Sequence, residues 1–151
     1  MTPEQIRLVQ ESFRRIAPQG GEAFARTFYE RLFALDPALE PLFAGDMRQQ
    51  RRRLMAGLAL MVEALGDPET IIPLLQALGW RQAACGVRPE HVATIGDALL
   101  AALKESLGPV FGNEVQAAWA AGYVTVAVTV LLAMRQAQLS AVAVAVTARA
   151  A

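Results

Sequence analysis

The chain is predicted to be a single all-α domain. Its 151 residues suit one continuous hydrophobic core. Prolines and glycines divide it into segments whose apolar residues recur every three or four positions, the spacing of one helix face. No segment alternates apolar and polar residues long enough to demand a sheet.

The first half is predicted to hold three helices. Thr2, Pro3 and Gln5 form a capping box with proline in the first helical turn. The run APQGG at 17–21 predicts a break, and Asp36-Pro37 predicts a helix end. The predicted elements are helices at about 3–17, 22–35 and 47–65, a helical turn at 38–42 and a loop at 43–46.

The second half is predicted to add three more helices, at about 71–84, at 89–107 and from 114 through at least 134. Pro73 is tolerated near the start of the first of these, and Pro89 suits the first turn of the second. The folded domain is placed at 1–136. Residues 137–151 form an Ala/Val tail of low complexity whose structure is left open.

The stretch Ala117 to Met134 carries no charge and nearly reaches the length of a membrane span. It also contains threonines and a glycine, and the other helices are amphipathic and need a central partner. A buried core helix is therefore predicted in preference to a membrane span, and no membrane association is expected.

Charge and cysteine content exclude several classes of protein. Fourteen basic residues balance fourteen acidic ones, so nucleic acid is not an expected partner. The basic run Arg48 to Arg53 is interpreted as a solvated helix face. One cysteine excludes an internal disulfide framework, and the charged start does not resemble a signal peptide. A cytoplasmic protein is expected.

Three polar side chains fall within apolar helix stripes: Tyr29, Gln50 and Gln82. A buried amide or hydroxyl needs a hydrogen-bond partner. Each could bond to the backbone or to another side chain. Their occurrence on three different helices also indicates a cavity with polar groups at chosen points, as in small-molecule pockets.

Several motifs together resemble the globin family, specifically single-domain bacterial haemoglobins and the globin domain of flavohaemoglobins. The resemblance covers about Glu4 to Met134 and is most specific in FYERLFALDPALEPLF, followed by QRRRLMAGL, LGWRQAACGV, PEHVATIGDALLAALKESLG and AAWAAGY. It implies a globin fold, a helical sandwich around a central pocket, with haem as the expected cofactor.

The resemblance assigns residues to the distal half of that pocket. Phe43 matches the phenylalanine that packs on the haem face, and Leu54 matches the apolar residue over the ligand. Tyr29 and Gln50 match the two hydrogen-bond donors to a gas held at the iron. The remaining positions expected to contact a cofactor are Leu78, Gln82, Val87, His91 and Ile95.

The proximal half departs from the family pattern. Gln82, four residues before Gly86, stands where the family has its iron-binding histidine. His91 matches a second, non-ligating histidine, and Val92 and Met134 replace a tyrosine and a glutamate that polarise the missing ligand. A carboxamide oxygen is a weak, uncharged iron ligand.

The iron ligand is therefore left open. Gln82 faces the proximal position, Tyr29 could ligate ferric iron as a phenolate, and His91 would have to swing inward. Cys85 could supply a thiolate or attach a bilin, although a structural cysteine is the commoner outcome. The protein could also hold another tetrapyrrole or none, with the pocket empty, filled by Trp80, or occupied by an apolar molecule.

The expected function is atypical binding of haem or a related ligand, for binding or sensing of oxygen or nitric oxide. The alternative is a haem-free globin that binds a small molecule or a protein partner, with a homodimer through the apolar last helix. Nitric oxide dioxygenase or peroxidase activity is disfavoured by the missing proximal residues, and no flavin-binding reductase domain is recognised in the chain.

Overall fold

The computed structural model describes residues 1–43 and 45–150, apart from the side chains of residues 19 and 20. Its α-helices are α1 (Pro3–Leu35), α2 (Met47–Glu63), α3 (Pro68–Ala84), α4 (Pro89–Leu107) and α5 (Asn113–Ala150). Short 3-10 helices follow α1, α2 and α4, at Pro37–Phe43, Ala64–Gly66 and Gly108–Val110. The described residues contain no strand, which confirms the all-α prediction.

Helix α1 contradicts the predicted break at 17–21. The chain stays helical through Pro18, although proline cannot donate the backbone hydrogen bond to the residue four positions earlier. Both halves of α1 bury apolar side chains in one core, including Phe13, Ile16, Phe24 and Phe28. That shared packing outweighs one lost hydrogen bond. The predicted capping box at Thr2 and Gln5 is confirmed.

Helices α2 and α3 are bounded by side-chain caps. The Asp46 carboxylate accepts the backbone N–H of Arg48 at the start of α2. Asp67 caps α3 in the same way, accepting from the backbone of Glu69 and Thr70. Because Asp67-Pro68 is itself the start signal, α3 begins three residues before the predicted position. The predicted loop at 43–46 includes Ala44, which lies outside the described residues.

Helix α5 differs most from expectation. It continues through the tail to Ala150, and only one of its faces is buried, through residues such as Trp119, Val130 and Met134. Val124, Val128 and Leu132 are each more than half exposed. The prediction of a buried core helix therefore holds for one face of α5 only. By length and apolar composition α5 could also cross a membrane, a test that core helices of soluble proteins pass too.

The helices pack in pairs around a continuous core. Helix α1 lies mainly against α4 and α2, whereas α3 lies mainly against α5. A buried hydrogen bond joins the first helix to the last: the indole N–H of Trp119 donates to the Ser12 hydroxyl over 2.9 Å. The Ser12 hydroxyl in turn donates to a backbone carbonyl of its own helix. Both polar groups are thereby satisfied inside the core.

Two glycines permit close helix approaches. A β-carbon on Gly79 of α3 would lie 2.7 Å from the Ala133 β-carbon and 2.8 Å from the Val130 carbonyl oxygen, both on α5. A β-carbon on Gly96 of α4 would overlap the Tyr123 ring. Helix α5 is thus held against two neighbours at positions where a larger side chain has no room.

We expect Gly79→Ala to destabilise the protein by about 1–3 kcal/mol, because the added methyl group pushes α3 away from α5. Gly57→Ala is the matched control. Gly57 also lies inside a helix, but its added methyl would meet only the flexible end of Met61. There alanine should stabilise by about 0.5–1 kcal/mol. Urea unfolding measures both values, and equal stabilisation by the two variants would contradict the close contact.

Candidate ligand cavity

A cavity of about 200 Å³ lies inside the helical bundle and is lined by residues of all five α-helices. Its wall is almost entirely apolar. Helix α2 contributes Leu54, Leu58 and Met61, and helix α5 contributes Val126 and Val130. An apolar cavity favours apolar molecules because water gains few hydrogen bonds there.

Four of the predicted cofactor contacts line this cavity: Leu54, Leu78, Gln82 and Ile95. They come from α2, α3 and α4, so the structure brings together residues far apart in sequence. The other five lie outside the described lining: Tyr29, Phe43, Gln50, Val87 and His91.

Gln82 occupies the α3 side of the cavity. Its side chain is partly buried, and its amide is a neutral donor and acceptor. Trp80 and Cys85, two residues considered for roles in the pocket, are instead exposed. Trp80 therefore does not fill the cavity.

His91 is bound into the start of α4 instead of facing the cavity. The backbone N–H of Arg88 donates to His91 Nδ1 over 3.0 Å, which satisfies a backbone donor at the start of α4. Nε2 lies 3.9 Å from an Asp36 carboxylate oxygen at the end of α1. The hydrogen bond to Nδ1 holds the imidazole at the start of α4, close to the end of α1.

Two positions at which the resemblance implied a tyrosine and a glutamate lie in apolar packing. Val92 and Met134 are both buried and belong to one apolar cluster with Ile71, Leu75 and Val87. An apolar cluster cannot raise the basicity of a neighbouring ligand as a carboxylate or phenol can. Val87, predicted as a cofactor contact, is therefore part of the packing behind the cavity.

Tyr29 lies in an aromatic cluster at the end of the core near α2. Its ring centroid is 5.1 Å from that of Phe28, 5.8 Å from that of Phe33 and 5.6 Å from that of Phe43. Its hydroxyl donates to the backbone carbonyl of Gln50 over 3.5 Å, a long and weak contact. Burial raises the pKa of Tyr29 to about 12, so the neutral phenol is strongly favoured.

Two polar residues of the lining were not identified from the sequence. Tyr123 donates its hydroxyl to the Val92 carbonyl, and burial, followed by the nearby negative charge of Asp97, raises its pKa to about 12. Arg53 is among the lining residues although it is exposed, so it borders the cavity on its solvent side. Its exposure agrees with the predicted solvated face, and its position directly before Leu54 could have indicated its place at the cavity.

These features define an all-helical protein with an apolar interhelical cavity that carries an arginine and an amide. The family model described as "Globin" matches residues 26–130. The flavohemoprotein of Bordetella parapertussis is 32% identical over 126 residues, which is 82% of this chain and 31% of that protein. The flavohemoprotein of Deinococcus radiodurans is 31% identical over the same lengths.

A solved bacterial globin from Campylobacter jejuni has the same fold. The two structures superpose with a TM-score of 0.77 at 23% identity, covering 89% of this chain and 97% of the other. The chain belongs to the globin family, as its motifs indicated. It spans about a third of the length of the curated relatives that it matches.

We expect the two tyrosines of the chain to ionise late. The native protein should show phenolate absorbance with a midpoint near pH 12, whereas the chain in denaturant should show it near pH 10. Between these values the unfolded chain binds fewer protons than the folded chain, so the free energy of unfolding falls as pH rises. A native midpoint near pH 10, in alkaline spectrophotometric titration, would contradict the described burial.

Proposed function

We propose that this globin binds haem or a related tetrapyrrole in its interhelical cavity without ligation by a proximal histidine, and that it binds or senses oxygen or nitric oxide in the cytoplasm. The single observation that carries the proposal is the cavity itself, which is apolar and lined by Gln82 on its α3 side. The chain belongs to the globin family, and the relatives that it matches are named flavohemoproteins, which supports haem as the cofactor.

The lining fits the macrocycle in two respects. Leu54, Leu78 and Ile95 offer the apolar contacts that a planar aromatic ring system needs. Arg53 offers a cation that can pair with a carboxylate substituent of such a ring. Bound haem would supply an iron centre for a diatomic gas, and the protein would hold it through these contacts.

The lining does not fit imidazole ligation. Among the residues described as lining the cavity, none is a histidine or a cysteine, and His91 is engaged by Arg88 and the Asp36 end of α1. Gln82 is the amide on the α3 wall. For this reason dioxygenase and peroxidase chemistry, which depend on a strongly donating proximal ligand, are not part of the proposal.

Tyr29 and Gln50 are proposed as distal groups that approach the ligand when the cavity opens. Phe43 and Leu54 would then form the apolar wall beside it. The weak 3.5 Å contact of the Tyr29 hydroxyl supports this role, because little hydrogen-bond energy opposes its redirection towards a ligand.

Titration of the purified protein with haemin tests the proposal. We expect a saturable Soret band that lacks the signature of histidine ligation. Gln82→His should tighten haemin binding at least about tenfold and produce that signature. Gln76→His, on the same helix but outside the described lining, is the matched control and should change neither property. No saturable band in the wild-type protein would refute haem binding.

In the haemin-loaded protein, Tyr29→Phe distinguishes two roles of Tyr29: ligand of the iron, or hydrogen-bond donor to bound oxygen. Because the high pKa of Tyr29 favours the neutral phenol, we expect an unchanged ferric absorption spectrum. Oxygen should dissociate up to about tenfold faster from the reduced protein, equivalent to ~1.4 kcal/mol for one lost hydrogen bond. A shifted ferric spectrum would instead support the phenolate as iron ligand.

A haem-free globin is the second candidate, and the size of the cavity favours it. About 200 Å³ is below the roughly 300–1,000 Å³ typical of drug-sized ligand sites, so a tetrapyrrole requires α2 to move outward. A smaller apolar molecule does not. The anionic aromatic dye ANS, which binds to apolar protein surfaces, distinguishes the candidates. Displacement of bound ANS by haemin supports the first candidate, whereas ANS binding that haemin does not displace supports the second.

A further inference from the structure

Helix α5 carries an exposed apolar stripe along most of its length. Val124, Val128, Leu132, Leu139, Val142 and Val146 are each more than half exposed. Successive members are separated by three, four or seven residues, so they share one side of the helix. No contact within the described chain covers this stripe.

The last part of α5 extends beyond the body of the domain. Met134 is fully buried, but every residue from Arg135 to Ala150 is exposed except the partly buried Ala137. Isolated helices shorter than about 12–15 residues are marginal in water, and valine is a weak helix former. The extension therefore needs a surface to pack on.

We propose that the stripe binds the same stripe of a second copy, forming an antiparallel two-stranded contact. The residues that follow Val128 on this side of the helix are Leu132, Arg135, Leu139, Val142 and Val146. They are separated alternately by four and three residues. That is the heptad spacing of helices that pack as coiled coils. A homodimer through α5 does not depend on the proposed function of the cavity.

Charge complementarity selects the antiparallel arrangement. In a parallel pair the two Arg135 side chains would lie side by side, as would the two Glu114 side chains, so like charges would repel. An antiparallel pair centred near residue 130 places Arg135 opposite Thr125 of the partner subunit and Glu114 within one turn of Arg149 of the partner subunit. The exposed extension of each copy then covers the exposed face of the first half of the partner's α5.

A membrane is the less suitable occupant. The uncharged run between Arg135 and Arg149 has 13 residues, fewer than the approximately 20 needed to span a bilayer. The uncharged run before Arg135 contains Trp119, Val130 and Met134, which are buried against the rest of the domain.

Sedimentation velocity of the complete chain tests the dimer. We expect a concentration-dependent dimer that Val142→Glu converts to monomer. Val144→Glu is the matched control, because Val144 is equally apolar, 70% exposed and on the opposite side of the helix. Loss of the dimer in both variants, or a wild-type monomer at every concentration, would overturn the proposal. A monomer that floats with phosphatidylcholine and phosphatidylglycerol vesicles would overturn it in favour of the membrane.

Engineered cysteines test the orientation in a Cys85→Ser background. In the antiparallel pair position 121 faces position 139 of the partner subunit, so the double variant A121C/L139C should form a covalent dimer on oxidation. Each single variant should not, because like positions are then about 27 Å apart along the axis. Rapid cross-linking of either single variant would show a parallel pair and overturn the proposed arrangement.

Discussion

The close contact between α3 and α5 at Gly79 is the constraint on which the rest of the structure depends. It fixes the α3 wall of the cavity, and therefore Gln82, against the long last helix. The corresponding approach of α4 at Gly96 fixes a second wall through Tyr123. Helix α2 packs chiefly on α1 and closes the cavity from the other side. The α3 side is thus set by close backbone approach, the α4 side by a tyrosine ring on a glycine, and the α2 side by side-chain packing.

This arrangement explains how the globin fold is stabilised around a cavity whose described lining contains no histidine. Gln82 remains beside the cavity, while Val92 and Met134 join an apolar cluster that stabilises the region by burial. The sole histidine contributes to stability in a different place, where it accepts a backbone hydrogen bond at the start of α4. Val92 belongs both to this cluster and to the cavity lining, so the same residue contributes to stability and to the shape of the cavity.

The sequence predicted the helix types and several boundaries because local signals determine them. Capping at Thr2 and proline at position 89 are examples. It failed at Pro18, where tertiary packing on both sides outweighs a local break signal, and along α5, where composition does not reveal which face is covered. For the cavity, the pattern found Gln82 and Leu54. It missed Arg53 and Tyr123, since direction relative to a neighbouring helix is not encoded in one helix alone.

The complete burial of Met134 limits which residues this position can accept. A glutamate here would place a carboxylate in an apolar cluster, and an unpaired buried charge is strongly destabilising. A tyrosine at Val92 would overfill the same cluster. The present packing therefore resists both single substitutions, so a carboxylate or a phenol could enter this region only together with compensating changes in the residues around it.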